Sequence, residues 1–372
     1  MTKEHKHIEN SDKYKGLSVN KGIKNIKSTD KKSIEQFLQN KKNQKTVDYY
    51  VNGILNKNIT ILSQAITLIE SKLPEQQQKA EQIIEACLPH SGNSIRIGIT
   101  GVPGVGKSSF IETFGLNFIN QNNRIAVLAI DPSSEVSKGS ILGDKTRMEK
   151  LSAEKNAFIR PSPTAGSLGG VAKKTRETII LCEAAGFNII LIETVGVGQS
   201  EIAVKSMVDF FLLLMLAGAG DELQGIKRGI MEMADLIAIT KADGNNQKKA
   251  EFAKTQYKNA LHLFPKTKSR WIPDVLTCSS LTNYNIDKIQ KTIIEYIKFT
   301  KQNNFFYENR NNQTKYWMHE SINNSLKNIF YNNNNIKERI LELEKQLLNN
   351  KISPFKAADI LIKLFNSDSV DN

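Results

Sequence analysis

Residues 95–109 read Ile95-Arg96-Ile97-Gly98-Ile99-Thr100-Gly101-Val102-Pro103-Gly104-Val105-Gly106-Lys107-Ser108-Ser109, an apolar run followed by a glycine-rich loop. Residues 101–108 fit the pattern G-x-x-x-x-G-K-[ST], in which glycines let backbone N–H groups face phosphates. Lys107 would place a positive charge at the β- and γ-phosphates of a nucleotide, and the Ser108 hydroxyl would ligate Mg²⁺. A strand, a loop and a helix start follow one another as this site requires. We therefore predict nucleotide binding by residues 101–109 and a catalytic role for Lys107.

Short apolar runs alternate with helical stretches after residue 95. This alternation, with strands that are apolar throughout, predicts an α/β fold of the P-loop NTPase type. In such a fold a mostly parallel sheet is covered by helices on both faces. The predicted strands are residues 95–100, Ile125–Ile130, 189–192, Phe210–Leu216, Leu236–Thr240 and, more weakly, 275–277.

The start of the chain carries much of its basic charge. The 372 residues have a net charge of +13, and residues 1–45, with twelve lysines and five acids, account for +7 of it. A basic tail can bind nucleic acid or anionic lipid, and the alternative is a solvated leader. We prefer a disordered basic leader over residues 1–46 and expect no nucleic-acid partner. This segment has no arginine, so it matches a mitochondrial presequence poorly.

Helical segments flank the main domain, which we place at residues 93–300. In residues 47–92 the apolar positions recur at threes and fours, which predicts an N-terminal helical module. The C-terminal region spans residues 301–372. Within it, the asparagine-rich residues 301–335 predict an irregular connector, and residues 336–365 predict helices.

Composition excludes several classes of protein. No run of about 18 apolar residues occurs, so we expect no membrane span. The three cysteines Cys87, Cys182 and Cys278 are too few and too scattered for a disulfide framework, and they form no CxxC pair. A reducing compartment fits this pattern.

A carboxylate ends the apolar run at residues 189–192. Glu193 is followed three residues later by Gly196, the arrangement that organises Mg²⁺ and senses the γ-phosphate in P-loop proteins. Glu takes the place of the usual Asp here, so we expect Glu193 to act through a metal-bound water and assign it a catalytic role. The alternative is a surface glutamate at a strand end. No Gln follows Gly196 directly, which predicts slow intrinsic hydrolysis.

The residues Thr240-Lys241-Ala242-Asp243 follow another apolar run and resemble the N/T-K-x-D guanine reader. Asp243 would accept the N1–H and the exocyclic amine of guanine, a pair that adenine does not offer. The Lys241 stem would cover the base. Thr240, in place of the commoner Asn, predicts a weaker contact with the neighbouring loops. This motif favours GTP over ATP.

A second loop is expected to contact the base. It is Cys278-Ser279-Ser280-Leu281, and its backbone would reach guanine O6. We therefore include Ser279, Ser280 and Leu281 among the predicted nucleotide-binding residues.

Two aspartates are further candidates for the metal site. Asp131 ends a predicted strand, and Asp144 lies in a polar loop with glycine. Carboxylates near a phosphate-bound Mg²⁺ suit an order–disorder switch, and an ordinary helix N-cap is the alternative reading for either.

Several sequence segments, taken in their order along the chain, resemble those of a known protein family. GVPGVGKSS, DPSS, SILGDKTRM, ETVGVGQSE and GAGDELQGIKRGIMEMAD are similar to the MeaB/ArgK family of G proteins over about residues 47–365. The resemblance implies a SIMIBI-class G domain at residues 93–300 with helical extensions. It also implies a homodimer, with residues 301–372 as the dimerisation region.

The resemblance also assigns roles and partners. Ser108, Asp131, Asp144 and Glu193 would surround Mg²⁺, and the ligands would be GTP and GDP. The partner would be an adenosylcobalamin-dependent methylmalonyl-CoA mutase. GTP binding and hydrolysis would gate its cofactor loading and protect or reactivate it. Residues 218–230, with Gln224 and Lys227, match a mobile segment that responds to the mutase.

The compartment and two other functions stay open at this point. The asparagine runs and the long leader favour the mitochondrial matrix, and the bacterial cytoplasm is the alternative. Lys138 stands where the family usually has Gly, so ordering of that loop is in question. A nickel-delivery SIMIBI G protein would need Cys/His clusters, which the chain does not show in sequence. An RNA- or ribosome-associated GTPase is suggested only by the net charge.

Overall fold

Runs of Ile, Val, Leu and Phe form the strands of a parallel sheet in the computed structural model. The model describes residues 45–130, 148–161, 168–194, 200–218 and 228–368. Within these residues the sheet has seven strands in the order β3-β2-β4-β1-β5-β6-β7. All residues of β2 and β4 are buried, which requires helices on both faces. The strands are β1 Ile95–Gly101, β2 Ile125–Ile130, β3 Ala157–Pro161, β4 Ile189–Thr194, β5 Phe210–Leu216, β6 Leu236–Thr240 and β7 Asp274–Thr277.

Helices precede, connect and follow the strands. Three helices form the predicted N-terminal module: α1 Val47–Leu55, α2 Ile59–Glu70 and α3 Pro74–Cys87. Asn58 caps α2, because its side-chain oxygen accepts hydrogen bonds from the N–H groups of Thr60 at 3.0 Å and Ile61 at 3.1 Å. The helices between strands are α4 Lys107–Ile119, α5 Glu149–Ser152, α6 Leu168–Ala184, α7 Ser200–Lys205, α8 Arg228–Met233 and α9 Gln247–Leu261.

The edge strand β3 was not predicted. It pairs only with β2, in the register Ile125↔Ala157. Its sequence gives a weak signal because Arg160 and Pro161 interrupt the apolar run. The Arg160 guanidinium instead reaches the N-terminal module, where Nε donates to Glu70 Oε1 at 3.1 Å. A tertiary contact therefore stabilises a strand that the local pattern does not show.

The predicted irregular connector at residues 301–335 is wrong. After α10 Ile286–Gln302, a 28-residue helix, α11 Phe305–Asn332, occupies most of this segment. Asparagine lowers helix propensity, but α11 buries Phe306 and Trp317 against the core. Tertiary packing therefore overrides the local composition.

Side chains of α11 hold a short connection that we call the strap, residues 206–209 between α7 and β5. Gln313 Nε2 donates to the carbonyl oxygen of Val208 at 2.7 Å, and Trp317 Nε1 donates to that of Ser206 at 3.1 Å. Arg310 Nε and Nη2 each donate to the Asp209 carboxylate at 2.7 Å. Residues 310, 313 and 317 lie on one helix face, so a single face of α11 binds the strap.

The last two helices are α12 Asn334–Leu348 and α13 Pro354–Asp368. The helix predicted from residue 336 begins two residues earlier, because the Asn333 side chain caps it by accepting from the Ile336 N–H at 3.1 Å. The described residues between 47 and 368 form one compact unit. In the part of the chain that the structure describes, no helix has the length and apolar character to cross a membrane.

Candidate guanine-nucleotide site

The glycine-rich loop begins at the end of β1, which lies between β4 and β5 in the middle of the sheet. A Cβ atom on Gly101 would lie 2.5 Å from the carbonyl oxygen of Leu214 on β5, so a side chain is excluded there. Gly104 and Gly106 have φ angles of 75° and 88°, which favour glycine. The loop sequence is thus explained by backbone geometry, and it leads directly into α4 at Lys107.

The Lys107 ammonium lies over the loop. Its Nζ donates to the carbonyl oxygens of Gly101 at 2.7 Å and Val102 at 3.3 Å. Burial lowers the pKa of Lys107, while the negative charges of Glu193 and Glu201 oppose that shift. A partly desolvated ammonium held over a glycine-rich loop at the start of a helix is suited to bind phosphate.

Two buried carboxylates lie close enough to Lys107 to influence its pKa. Glu193, near the end of β4, is 7% exposed, and Glu201, in the first turn of α7, is 1% exposed. Thr194 Oγ1 donates to Thr100 Oγ1 at 2.7 Å, so the ends of β4 and β1 are joined beside them. Glu201 was not singled out from the sequence. It is the last residue of the segment ETVGVGQSE, which carries the family resemblance, but it was given no role there.

Thr240 stands where Asn is commoner, and the sequence predicted a weaker contact with the neighbouring loops. The structure shows that Thr240 does contact them. Its Oγ1 donates to the carbonyl oxygen of Val105 at 2.8 Å and lies 3.3 Å from that of Met215. Lys241, at a φ of 56°, donates from Nζ to the carbonyl oxygen of Gly104 at 2.8 Å. The predicted guanine reader and the phosphate-binding loop are therefore one hydrogen-bonded assembly.

The loops after β6 and β7 meet at Asp243. Its Oδ2 accepts a hydrogen bond from Ser279 Oγ, and the Ala242 N–H donates to the carbonyl oxygen of Cys278 at 3.0 Å. Ser279 is fully buried, whereas Leu281 is 87% exposed. The structure thus brings the Thr240–Asp243 segment and the Ser279–Leu281 loop together at the carboxyl ends of neighbouring strands.

Other predicted residues lie outside the described residues, among them Asp131, Lys138, Asp144, Gly196, Gln224 and Lys227. Within the described residues, no three His, Cys, Asp or Glu side chains converge as a metal site. The three cysteines are buried, which raises the pKa of Cys87 to about 11 and that of Cys278 to about 12. Burial also raises the pKa of Cys182. Their thiols therefore contribute packing rather than nucleophiles or ligands.

These features define a P-loop nucleotide-binding protein of the G-protein class, since a phosphate loop and a guanine-type reader share one edge of a parallel sheet. The family described as methylmalonyl Co-A mutase-associated GTPase MeaB matches residues 62–335. The chain belongs to the MeaB family. It is a GTPase that binds GTP and GDP.

Relatives support this assignment over most of the chain. A putative GTPase of Caulobacter vibrioides is 47% identical over 304 residues, 82% of this chain and 93% of the relative. The GTPase ArgK of Escherichia coli is 42% identical over 312 residues, 84% and 94% of the two chains. The mouse methylmalonic aciduria type A homolog, mitochondrial, is 43% identical over 336 residues, covering 88% of this chain and 81% of the relative.

A solved structure supports the fold. The crystal structure of a LAO/AO transport system kinase matches with a TM-score of 0.70 and 34% sequence identity. It covers 87% of this chain and 99% of the matched chain. The predicted fold class, a P-loop α/β domain with helical extensions, is confirmed.

Proposed function

We propose that this GTPase is a chaperone of an adenosylcobalamin-dependent methylmalonyl-CoA mutase. Its GTP cycle gates cofactor loading and protects or reactivates the mutase. The observation that carries the proposal is the family match over residues 62–335, because the family is described by its association with this mutase. The mouse relative, named for methylmalonic aciduria, supports the same link.

Mg²⁺ is the metal that fits the proposed site. The Ser108 hydroxyl at the start of α4 and the buried Glu193 carboxylate are hard oxygen donors, which Mg²⁺ prefers. Asp131 and Asp144 complete the proposed set. Bound Mg²⁺ would neutralise charge on the β- and γ-phosphates during hydrolysis.

The protein's own residues position the nucleotide and sense its γ-phosphate in this proposal. Lys107 binds the β- and γ-phosphates, and Asp243 selects guanine. Glu193 and Glu201 stand beside Lys107, so loss of the γ-phosphate changes the charge balance at the start of α7. The mutase can be controlled only through a difference in its affinity for the GTP and GDP states.

GTP hydrolysis by the purified chain, measured with and without stoichiometric mutase, tests this proposal. We expect slow basal turnover that the mutase accelerates by about tenfold, which corresponds to about 1.4 kcal/mol of activation barrier. The double variant Gln224→Ala/Lys227→Ala should keep the basal rate and lose most of the acceleration.

The outcomes of this assay separate the parts of the proposal. Turnover that is indifferent to the mutase would end the chaperone proposal and leave the GTPase assignment intact. Faster turnover of ATP than of GTP would show that Asp243 does not select guanine.

We also propose that the chain forms a homodimer through residues 301–372. The supporting observation is that α11, α12 and α13 present large apolar side chains to solvent, including Leu326, Ile329, Leu341, Leu348, Phe355 and Ile362. Apolar surface on this scale is typical of an interface. Charged substitutions there should therefore separate the subunits.

Sedimentation equilibrium of Leu348→Glu/Phe355→Glu tests the dimer. The variant should have the mass of one chain, 41.7 kDa, and the unaltered protein twice that mass. Leu263→Glu is the matched control, because Leu263 is an exposed leucine outside these helices, and it should leave the dimer intact. A monomeric unaltered protein at micromolar concentration would contradict the proposal.

The mitochondrial matrix is the proposed compartment, and the bacterial cytoplasm is the alternative. The mouse relative, whose name includes "mitochondrial", and the Escherichia coli relative are 43% and 42% identical to this chain. Similarity therefore favours neither compartment.

A further inference from the structure

One face of α4 is bound to the loop that follows β7. Thr113 and Asn117 are spaced by four residues and so lie in one row on this helix, and Gln121 follows in the turn after its end. Thr113 Oγ1 lies 3.2 Å from the carbonyl oxygen of Ser280, and Asn117 Nδ2 donates to Asn283 Oδ1 at 2.9 Å. The helix that starts with Lys107 therefore also supports the loop beside Asp243.

The residue that follows this spacing, beyond the end of α4, does not reach the loop. Gln121 Nε2 donates to Gln290 Oε1 at 3.2 Å, and the buried Gln290 donates back to the carbonyl oxygen of Phe114 at 3.2 Å. These contacts join α4 to α10. They leave Thr113 and Asn117 as the two members of the row that touch the loop itself.

The loop has few other means of keeping its position. Ser279 anchors one end, since its N–H donates to the carbonyl oxygen of Tyr284 at 3.1 Å and its Oγ donates to Asp243. The same Oγ accepts from the Thr282 N–H at 3.3 Å, which closes a turn around the next two residues. Of the next two residues, Leu281 has a side chain that is almost fully exposed. Among the described residues, the N–H groups of Ser280 and Leu281 donate to no protein acceptor. Their position therefore depends on this turn and on the bonds to α4.

We propose that Thr113 and Asn117 are positioning residues for guanine specificity. They hold the Ser280–Leu281 backbone so that its N–H groups meet the O6 atom of guanine. This inference rests on the proposed reading of guanine by Asp243 and the adjacent loop, and not on the mutase.

The two readings of the base address different atoms. Asp243 would accept from N1–H and the exocyclic amine, whereas the loop would donate to O6. GTP and ITP both carry O6 and N1–H, whereas 2-aminopurine riboside triphosphate lacks both and keeps the exocyclic amine. A change in the position of the loop should therefore affect the first two nucleotides and spare the third.

Dissociation constants of the three nucleotides, measured by displacement of a fluorescent GDP analogue, test this inference. For Thr113→Val/Asn117→Ala we expect the constants for GTP and ITP to rise by about five- to tenfold, as for loss of a hydrogen bond. The constant for 2-aminopurine riboside triphosphate should stay unchanged, and kcat for saturating GTP should not fall. The single variant Thr113→Ser keeps both the hydroxyl and Asn117, and it should bind GTP as tightly as the native protein does.

The matched control is Thr292→Val on α10. Thr113 and Thr292 each lie within hydrogen-bond distance of the carbonyl four residues earlier, at 3.1 and 3.0 Å, but only Thr113 also reaches the loop. Thr292→Val should leave all three constants unchanged. An equal rise for all three nucleotides in the Thr113/Asn117 variant would indicate general loosening and overturn the inference.

Two further outcomes would also overturn the inference. One is a Thr113/Asn117 variant that binds GTP as tightly as the control does. The other is native protein that binds GTP and 2-aminopurine riboside triphosphate equally, which would show that the loop does not read O6. Neither result would bear on the mutase, so the chaperone proposal would stand or fall separately.

Discussion

Replacement of Lys107 by alanine should lower kcat for GTP hydrolysis by about 10²- to 10³-fold. The ammonium is already desolvated and placed over the phosphate loop, so its loss removes a preorganised positive charge at the β- and γ-phosphates. Steady-state hydrolysis, with phosphate release measured at saturating GTP, gives the result directly.

Lys174→Ala is the matched control for this loss. Lys174 is also partly buried with a lowered pKa, and its Nζ also donates to a backbone carbonyl, that of Glu70 at 2.6 Å. It lies on α6, away from the phosphate loop, so its removal should leave kcat within about twofold of the native value. A similar loss in both variants would mean that Lys107 acts on folding and not on the reaction.

Replacement of Arg310 by methionine should destabilise the protein by about 3–5 kcal/mol. The Asp209 side chain is 1% exposed, and removal of its cation leaves a buried charge that keeps only the hydrogen bond from the Arg96 N–H, at 2.8 Å. The carbonyl oxygens of Gly92 and Ser94 lose the same guanidinium, which donates to them at 2.5 and 2.7 Å. Urea unfolding followed by circular dichroism measures this change.

Arg339→Met provides the comparison for an exposed ion pair. Arg339 pairs with Glu342 on the surface of α12, with side chains 40% and 61% exposed, so its loss should cost less than about 1 kcal/mol. Asp209→Asn in the Arg310→Met background should recover part of the stability, because it removes the orphaned charge. Equal costs for Arg310 and Arg339 would contradict the buried ion pair.

The central strands and the phosphate loop could be predicted because their signals are local. The apolar runs that were predicted as strands all form strands between β1 and β6. The positive φ angles of Gly104 and Gly106 explain why glycine occurs between β1 and α4. Backbone geometry and burial on both faces leave a direct trace in the sequence of such elements. The order of motifs then places the reader Thr240–Asp243 beside the loop.

The features that could not be predicted depend on distant contacts. β3 needs β2 and the bond from Arg160 to Glu70, and α11 needs the strap, which lies about 100 residues earlier in the chain. Asparagine content argued against α11 because propensity counts only the helix itself. Glu201 was given no role for a similar reason, since its influence on Lys107 depends on how the sheet brings distant residues together.

The strap connects α11 to the nucleotide site, so a change at that site can tilt α11. The strap follows α7 directly, and α7 carries Glu201 close to Lys107 of the phosphate loop. Beyond Trp317, α11 continues for about 22 Å to Asn332, so a tilt of about 5° at the strap moves its far end by about 2 Å. The displaced end leads into the apolar surfaces of α12 and α13. In the proposed homodimer, the loss of one phosphate would in this way alter the fit between the subunits.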